Sequence, residues 1–191
     1  MHLIVGKLGH LFVIISFVSA LLASVSYLGS SVARDSKFIL GWRNNGRFFF
    51  YLHALTVVGI LVTLFVIIGG NYFEYHYAWS HSSKYLPFYY KIAAFWEGQE
   101  GSFLLWAFWH VVIGLFLIGY SKTWESPVMT IFTLVQSFLI SMILGVVIFQ
   151  HKIGSSPFML IRDVLQDPIF KINPNFIPAD GSGLNPLLQN Y

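Results

Sequence analysis

The stretch FFFYLHALTVVGILVTLFVII at Phe48–Ile68 decides the fold class. It holds no Asp, Glu, Lys or Arg, and about 20 mostly apolar residues are what a helix needs to cross the hydrocarbon core of a bilayer. Three further stretches have the same character: Leu11–Gly29, Phe103–Tyr120 and Val128–Phe149. We therefore expect an all-α integral membrane protein, with four transmembrane helices in residues 1–149 and an outer, polar tail in residues 150–191.

The composition supports a membrane protein and excludes several other classes. Of the 191 residues, 56% are hydrophobic and 10% charged, against about 45–50% and about 25% in soluble domains. The chain has no cysteine, which excludes a disulfide framework, a thiolate metal site and a CxxCH haem attachment site. A formal net charge of +3, spread over loops, gives no nucleic-acid footprint. The sequence also predicts no catalytic residue and no metal site.

The distribution of basic residues predicts the orientation. Ser31–Arg47 carries four Lys or Arg residues, whereas the longer Gly69–Ser102 segment carries two alongside three glutamates. Because Lys and Arg are enriched in cytoplasmic loops, both termini and Gly69–Ser102 should lie on the outer, periplasmic side of a bacterial inner membrane. A second interpretation of Leu11–Gly29 is a signal peptide cleaved near Ala33, although its apolar run exceeds the about 7–15 residues of a typical signal-peptide core.

The outer loop is rich in aromatic side chains. Gly69–Ser102 contains eleven of them, and six side chains between Tyr85 and Trp96 recur at helical spacing, which predicts an amphipathic helix lying in the outer interface. Glu97–Gly101 is predicted to form an acidic elbow, with Ser102 as the N-cap of the third span. The aromatics fit either an anchoring belt or a platform for a flat apolar ligand such as a porphyrin or a quinone. In the tail, Ser156 and Pro157 predict the start of a short helix.

Seven histidines without cysteine raise the question of a metal or haem site. His53 and His110 lie within predicted spans, but their depths differ by roughly 10 Å at 1.5 Å rise per residue, which disfavours one haem held between them. Hydrogen-bonded packing histidines are the simpler interpretation. His10 is placed at the outer end of the first span, and His76 and His81 in the outer loop are expected to be solvated.

Two motifs carry a resemblance to a known family. The run LPFYYKIAAFWEGQEGS at Leu86–Ser102, followed by Leu104-Leu105-Trp106, resembles the outer-loop motif of CcmF/CycK/NrfE-type cytochrome c biogenesis proteins. The tail run LNPLLQ at Leu184–Gln189 is similar to the family segment that precedes the fifth helix. The resemblance is collinear over essentially the whole chain.

The resemblance implies a membrane component that handles haem and its attachment to apocytochrome c, as part of a haem transport or haem lyase complex. The partners it implies are a periplasmic haem chaperone, apocytochrome c with its thiol-reducing helpers, other cytochrome c maturation proteins and the lipid bilayer. The site residues it implies form an outer haem vestibule or helper interface and a lead-in to a haem-ligand segment. The first group is Trp96, Gly98, Glu100, Gly101, Ser102 and Trp106, and the second is Asn185, Pro186 and Gln189.

The resemblance also implies features that these residues do not include. In the family a His-Pro-Pro segment with the first outer haem ligand soon follows LNPLLQ, and a tryptophan-rich loop and membrane haem ligands come later. We therefore expect an N-terminal portion of a longer protein, and a haem lyase activity stays undecided for this chain. The alternative function is a small non-catalytic membrane subunit that binds a partner complex through its aromatic belt.

Overall fold

A computed structural model describes residues 2–148, 151–165 and 167–185 of the chain. Four of its helices are long and apolar enough to cross a membrane, which confirms the predicted fold class. These four are α1 (Leu3–Val32), α2 (Ser36–Gly69), α5 (Gln99–Tyr120) and α6 (Glu125–Leu144). The shorter elements are α3 (His76–His81), α4 (Phe88–Glu97), a 3₁₀ turn (Lys122–Trp124), the antiparallel pair β1 (Val146–Ile148) and β2 (His151–Ile153), α7 (Ile161–Val164) and α8 (Pro168–Ile172).

The four long helices pack as a ring in which helix α1 lies between α2 and α6, and α5 packs on α6 and α2. The buried face of α1 is built mostly from Gly, Ala and Ser. Where a larger residue on α1 is buried, the neighbouring helix supplies the small one, as Gly46 does beneath Tyr27. Small residues let helix backbones approach closely, which is how membrane helices associate without a hydrophobic driving force between them.

Helix α2 begins earlier than its apolar run. It starts at Ser36, where the Asp35 carboxylate caps it by accepting from the Lys37 amide N–H at 2.9 Å. The predicted inner loop Ser31–Arg47 is therefore mostly helical, and residues 33–35 alone connect α1 to α2. The polar first turns of α2 stay helical because they pack on α1, where the Trp42 indole lies over Gly29.

Helix α6 ends earlier than predicted. The apolar run Val128–Phe149 was expected to be helical throughout, but Gly145 adopts a left-handed conformation with φ 72° and ends the helix at Leu144. Val146–Ile148 then pairs with His151–Ile153 as a hairpin. A run of Val and Ile suits a strand as well as a helix, so hydropathy alone did not separate the two.

Two predicted helix starts are also corrected. Ser102 is not the N-cap of α5: Gly98 takes that position, and the Ser102 hydroxyl donates to the Trp96 carbonyl at 2.9 Å. In the tail, Ser156 begins a turn rather than a helix, and helical structure starts only at Ile161. A helix does form in the loop, as α4, while its position in the membrane interface stays a prediction.

Candidate functional site

One end of the bundle gathers the start of α1, the connection at residues 70–98 and the tail, and we call it the loop end. The His2 backbone N–H donates to the Glu74 carboxylate at 2.5 Å. The Tyr75 hydroxyl accepts from the Gly6 N–H and donates to the His2 carbonyl, both at 2.9 Å. Tyr75 also forms an isolated backbone bridge with Leu160. A single aromatic residue thus joins the first turn of α1, the loop and the tail.

The tail is held on the loop by hydrogen bonds. The Asp180 carboxylate accepts from the Lys84 amide N–H at 2.8 Å and from the Ser83 hydroxyl at 3.2 Å. The Ser182 hydroxyl donates to the Ser80 carbonyl at 2.7 Å, beside the C-terminal end of α3. These contacts hold residues 180–182 of the tail against residues 80–84 of the loop.

A cavity of about 490 Å³ lies at the loop end, between α1 and the tail. Leu3 and Phe158 give it apolar walls, while Lys7, His10 and Arg162 bring two cations and an imidazole. A second cavity of about 280 Å³ adjoins it through the shared residues Ser156, Met159 and Asp163, and is lined by His76 and Glu100. Volumes of about 300–1,000 Å³ with mixed walls are typical of small-molecule sites.

Four of the predicted site residues fall into three environments at this end. Glu100 lines the smaller cavity. Gly98 and Gly101 are buried under the Tyr77 ring, where a Cβ would overlap neighbouring atoms, so they act by allowing close packing. Trp96 is 40% exposed.

Trp106 and Ser102 both lie on α5 without lining either of the two cavities. Trp106 is exposed, and its ring meets Phe103 edge to face. Ser102 is half-buried against the end of α4.

The second predicted group is described only in part. The Asn185 amide N–H donates to the Glu97 carboxylate at 2.9 Å, which places the start of the LNPLLQ run beside the W-x-G-x-E-G-S segment. Pro186 and Gln189 lie outside the described residues.

Burial shifts the titration of two groups near these cavities. The pKa of His76 is lowered, mainly by burial, so its neutral imidazole is favoured. The pKa of Tyr77 is raised, again mainly by burial, and its hydroxyl is a neutral donor to the Phe95 carbonyl at 2.7 Å. His81 is half-buried with its Nδ1 3.3 Å from the Glu97 carboxylate, so it is not simply solvated as the sequence suggested.

The two histidines within predicted spans lie in separate packing environments. The buried His53 ring contacts the hydroxyl of Ser16 through Nδ1 at 2.9 Å. His110 stacks on Phe132 with ring centroids 4.7 Å apart. Among the described residues, no group of three or more His, Cys, Asp or Glu side chains is arranged to hold a metal ion.

The opposite end of the bundle is formed by the connections at residues 33–35 and 121–124, and we call it the turn end. Near it lies an ion pair between Arg47 and Glu125 that sequence reasoning missed. Glu125 is 1% exposed, and its carboxylate accepts from Arg47 at 2.7 and 2.5 Å and from the Tyr27 hydroxyl at 3.4 Å. Glu125 lies in the first turn of α6, where a carboxylate is favourable. The apolar run begins only at Val128, so hydropathy gave no signal for this residue.

Fold and site together define a multi-pass helical membrane protein with a structured cap at one end. Comparison with known proteins then identifies its relatives. The chain is 30% identical over 174 residues to the cytochrome c-type biogenesis protein CcmF of Escherichia coli K12, covering 90% of the chain and 23% of that protein. It is 29% identical over 191 residues to CcmF of Pseudomonas aeruginosa, covering 97% of the chain and 25% of that protein.

A third relative is NrfE of Haemophilus influenzae, 29% identical over 147 residues and covering 75% of the chain. The chain is thus a homologue of the cytochrome c-type biogenesis proteins CcmF and NrfE, and the resemblance predicted from its sequence is confirmed. It spans about a quarter of the length of the CcmF relatives above. No family model and no solved structure matches it.

Proposed function

We propose that the chain is a membrane component of cytochrome c biogenesis that handles haem and its attachment to apocytochrome c, with the loop end as the haem-facing side. The observation that carries the proposal is the homology to CcmF and NrfE along most of the chain. The loop end supports it, because both motifs behind the resemblance meet there through the contact between Asn185 and Glu97.

The side chains around the 490 Å³ cavity suit haem as a cargo. His10 offers an imidazole and Met159 a thioether, which are ordinary haem-iron ligands. Lys7 and Arg162 bring positive charge for the two propionates, although Asp163 offsets part of it. Haem would supply vinyl groups, across which the S–H bonds of an apocytochrome add to form thioethers. The chain itself supplies a ligand, cations and apolar walls that exclude water.

Orientation and partners follow as part of the proposal. Arg34, Lys37 and Lys122 all lie near the turn end, and the positive-inside rule places such residues in the cytoplasm. The loop end then faces the periplasm of a bacterial inner membrane. There it would meet a haem chaperone, apocytochrome c and its thiol-reducing helpers, alongside other maturation proteins in the membrane.

Haem binding is tested directly on the purified 191-residue chain in detergent. Titration with hemin is expected to give a Soret shift that saturates, and His10→Gln should weaken the apparent affinity about tenfold, since a ligand to the iron is lost. His110→Gln is the matched control, because its ring stacks on Phe132 and does not line this cavity. Equal weakening by both variants, or no saturable shift, would contradict the proposed cavity.

The predicted vestibule residues are tested in the host. The double variant Trp96→Ala with Glu100→Ala should lower the level of covalently haem-stained c-type cytochromes at unchanged membrane abundance of the protein. Trp109→Ala, an exposed tryptophan on α5, is the matched control. Normal cytochrome maturation in the double variant would show that these residues do not form the vestibule.

The alternative, a non-catalytic subunit, is favoured by one observation. Tyr85 is 90% and Phe88 73% exposed at the start of α4, and such aromatics suit a protein partner as well as lipid. It predicts that the chain purifies from membranes with a fixed partner, that Tyr85→Ser with Phe88→Ser releases that partner, and that no haem accompanies the complex.

A further inference from the structure

A cavity of about 490 Å³ lies at the turn end, between the last turn of α1, the first turns of α2 and the 3₁₀ turn before α6. Four hydroxyl side chains and one arginine supply its polar wall: Ser30, Ser31, Thr123, Ser126 and Arg43. Three of these hydroxyls are hydrogen-bonded within the protein, Ser30 to the Ile39 carbonyl, Ser31 to the Tyr27 carbonyl and Ser126 to the Ser30 oxygen. The donors that face the cavity for a phosphate oxygen are therefore the Arg43 guanidinium and the Thr123 hydroxyl. Among the described residues, none that belongs to either motif behind the resemblance lines this cavity.

Arg43 is a cation of this end whose guanidinium is partly shielded from solvent. It lies one helical turn before Arg47 on α2, so both point to the same face. Arg47 is neutralised by Glu125. Arg43 takes part in none of the ion pairs among the described residues, and its Nε is shielded from solvent without a hydrogen-bond partner there. A shielded guanidinium N–H without an acceptor is costly unless a ligand provides one.

The charge around the cavity favours an anion. Arg34, Lys37 and Lys122 are exposed at the same end. The two carboxylates there are engaged, Asp35 in capping α2 and Glu125 in its ion pair. The electrostatic potential at this end is therefore positive. Basic pockets between membrane helices bind acidic lipid headgroups.

An apolar groove continues from the polar cavity. The two share Trp124 and Pro127, and the groove, of about 460 Å³, follows the side chains of Val128, Ile131 and Val135 along α6. These positions recur at helical spacing and lie on one face of a membrane-spanning helix. A polar cavity that opens into an apolar groove along a span matches a phosphate headgroup with an acyl chain attached.

We propose that the turn end is a binding site for an anionic phospholipid, whose phosphate lies against Arg43 and the Thr123 hydroxyl and whose acyl chain follows the groove on α6. A free phosphate ion shares the headgroup chemistry but leaves the groove unused. The proposal is independent of the haem function, since no residue of the loop end takes part.

The test uses the full chain in nanodiscs of phosphatidylglycerol and phosphatidylcholine in equal amounts, released into the gas phase for native mass spectrometry. We expect retained phosphatidylglycerol to exceed phosphatidylcholine. Arg43→Gln should reduce the retained phosphatidylglycerol about tenfold, the scale of one charged hydrogen bond. Arg34→Gln, an exposed arginine that does not line the cavity, should leave it within twofold.

Further controls distinguish binding of the lipid from binding of a free phosphate ion and from loss of the fold. Sodium phosphate in the buffer should not displace the lipid, and Val128→Trp, which fills the groove, should reduce retention while Arg43 is intact. Circular dichroism confirms that each variant keeps its helices. Equal retention of the two lipids, unchanged retention in Arg43→Gln, or displacement by phosphate alone would overturn the proposal.

Discussion

At Gly101 the packing of the surrounding atoms leaves no room for a side chain. It is buried at the start of α5, where an added Cβ would overlap the Phe95 carbonyl oxygen and the Tyr77 hydroxyl. The overlap with a backbone atom cannot be relieved by a rotamer change. Gly101 therefore allows α4 to lie directly against α5, and the glycines of W-x-G-x-E-G-S have a packing role in this chain.

Gly101→Ala is expected to lower the free energy of unfolding by about 1–3 kcal/mol, the range for overpacking. The measurement is an SDS titration of the chain in mild detergent, followed by circular dichroism. Gly119→Ala in the same helix is the matched control, since nothing lies within 4 Å of its added Cβ. The control should be neutral or stabilising, because alanine favours a helix over glycine by about 0.5–1 kcal/mol. Equal effects of the two variants would contradict the steric argument.

The ion pair between Arg47 and Glu125 gives a second prediction for single residues. Arg47→Leu leaves a carboxylate that is 1% exposed without its cation. Removing one partner of a buried pair typically costs about 3–5 kcal/mol, so the SDS midpoint should fall clearly. Arg34→Leu, at an exposed position of the connection between α1 and α2, should leave the midpoint nearly unchanged.

Among the elements, the tail and the loop are joined through Asp180. Its pKa lies below the ordinary value of 3.8, first because the Lys84 backbone N–H donates to the carboxylate. A lowered pKa in the folded state means that the ionised form stabilises the contact above pH 3.8, and that this contribution is lost as the pH falls through the lowered pKa.

We therefore expect the Lys84 amide to be protected from hydrogen exchange at neutral pH and to lose protection under acid conditions. In Asp180→Asn the protection should be weaker at neutral pH and nearly independent of pH. Asp163→Asn, an exposed tail carboxylate that makes no contact with Lys84, is the control. Full protection of Lys84 in Asp180→Asn would show that other contacts hold the tail.

The helices also show which parts of the fold could be predicted from the sequence alone. Hydropathy predicted the four long helices, because crossing a bilayer demands long apolar runs. It failed at their ends, since Trp42 on Gly29 extends α2 into polar sequence and the conformation of Gly145 shortens α6. The motifs pointed to Glu100, which does line a cavity. His10 and Arg162 could not be paired from sequence, because tail packing brings them together.

For the whole molecule, the orientation in the membrane is accessible to experiment because the chain has no cysteine. Single variants Lys84→Cys and Lys37→Cys place one thiol at an exposed position near each end of the bundle. We expect a membrane-impermeant maleimide to label Lys84→Cys in cells with a permeabilised outer membrane, and Lys37→Cys only after the inner membrane is opened. The reverse pattern would invert the proposed orientation, and with it the periplasmic placement of the loop end.

The cover that later residues give to the start of α1 has a consequence for the order of assembly during synthesis. Gly9 is covered by the Phe158 ring, and Gly6 by Tyr75. At about 5–20 residues per second, the ribosome needs on the order of ten seconds after making the first helix to produce the residue that covers its start. The hairpin of α1 and α2 must therefore wait in the bilayer with a small-residue face uncovered. Such a surface is open to other helices in the membrane, so a delay in translation between α2 and the tail should favour mispairing and degradation of the nascent chain.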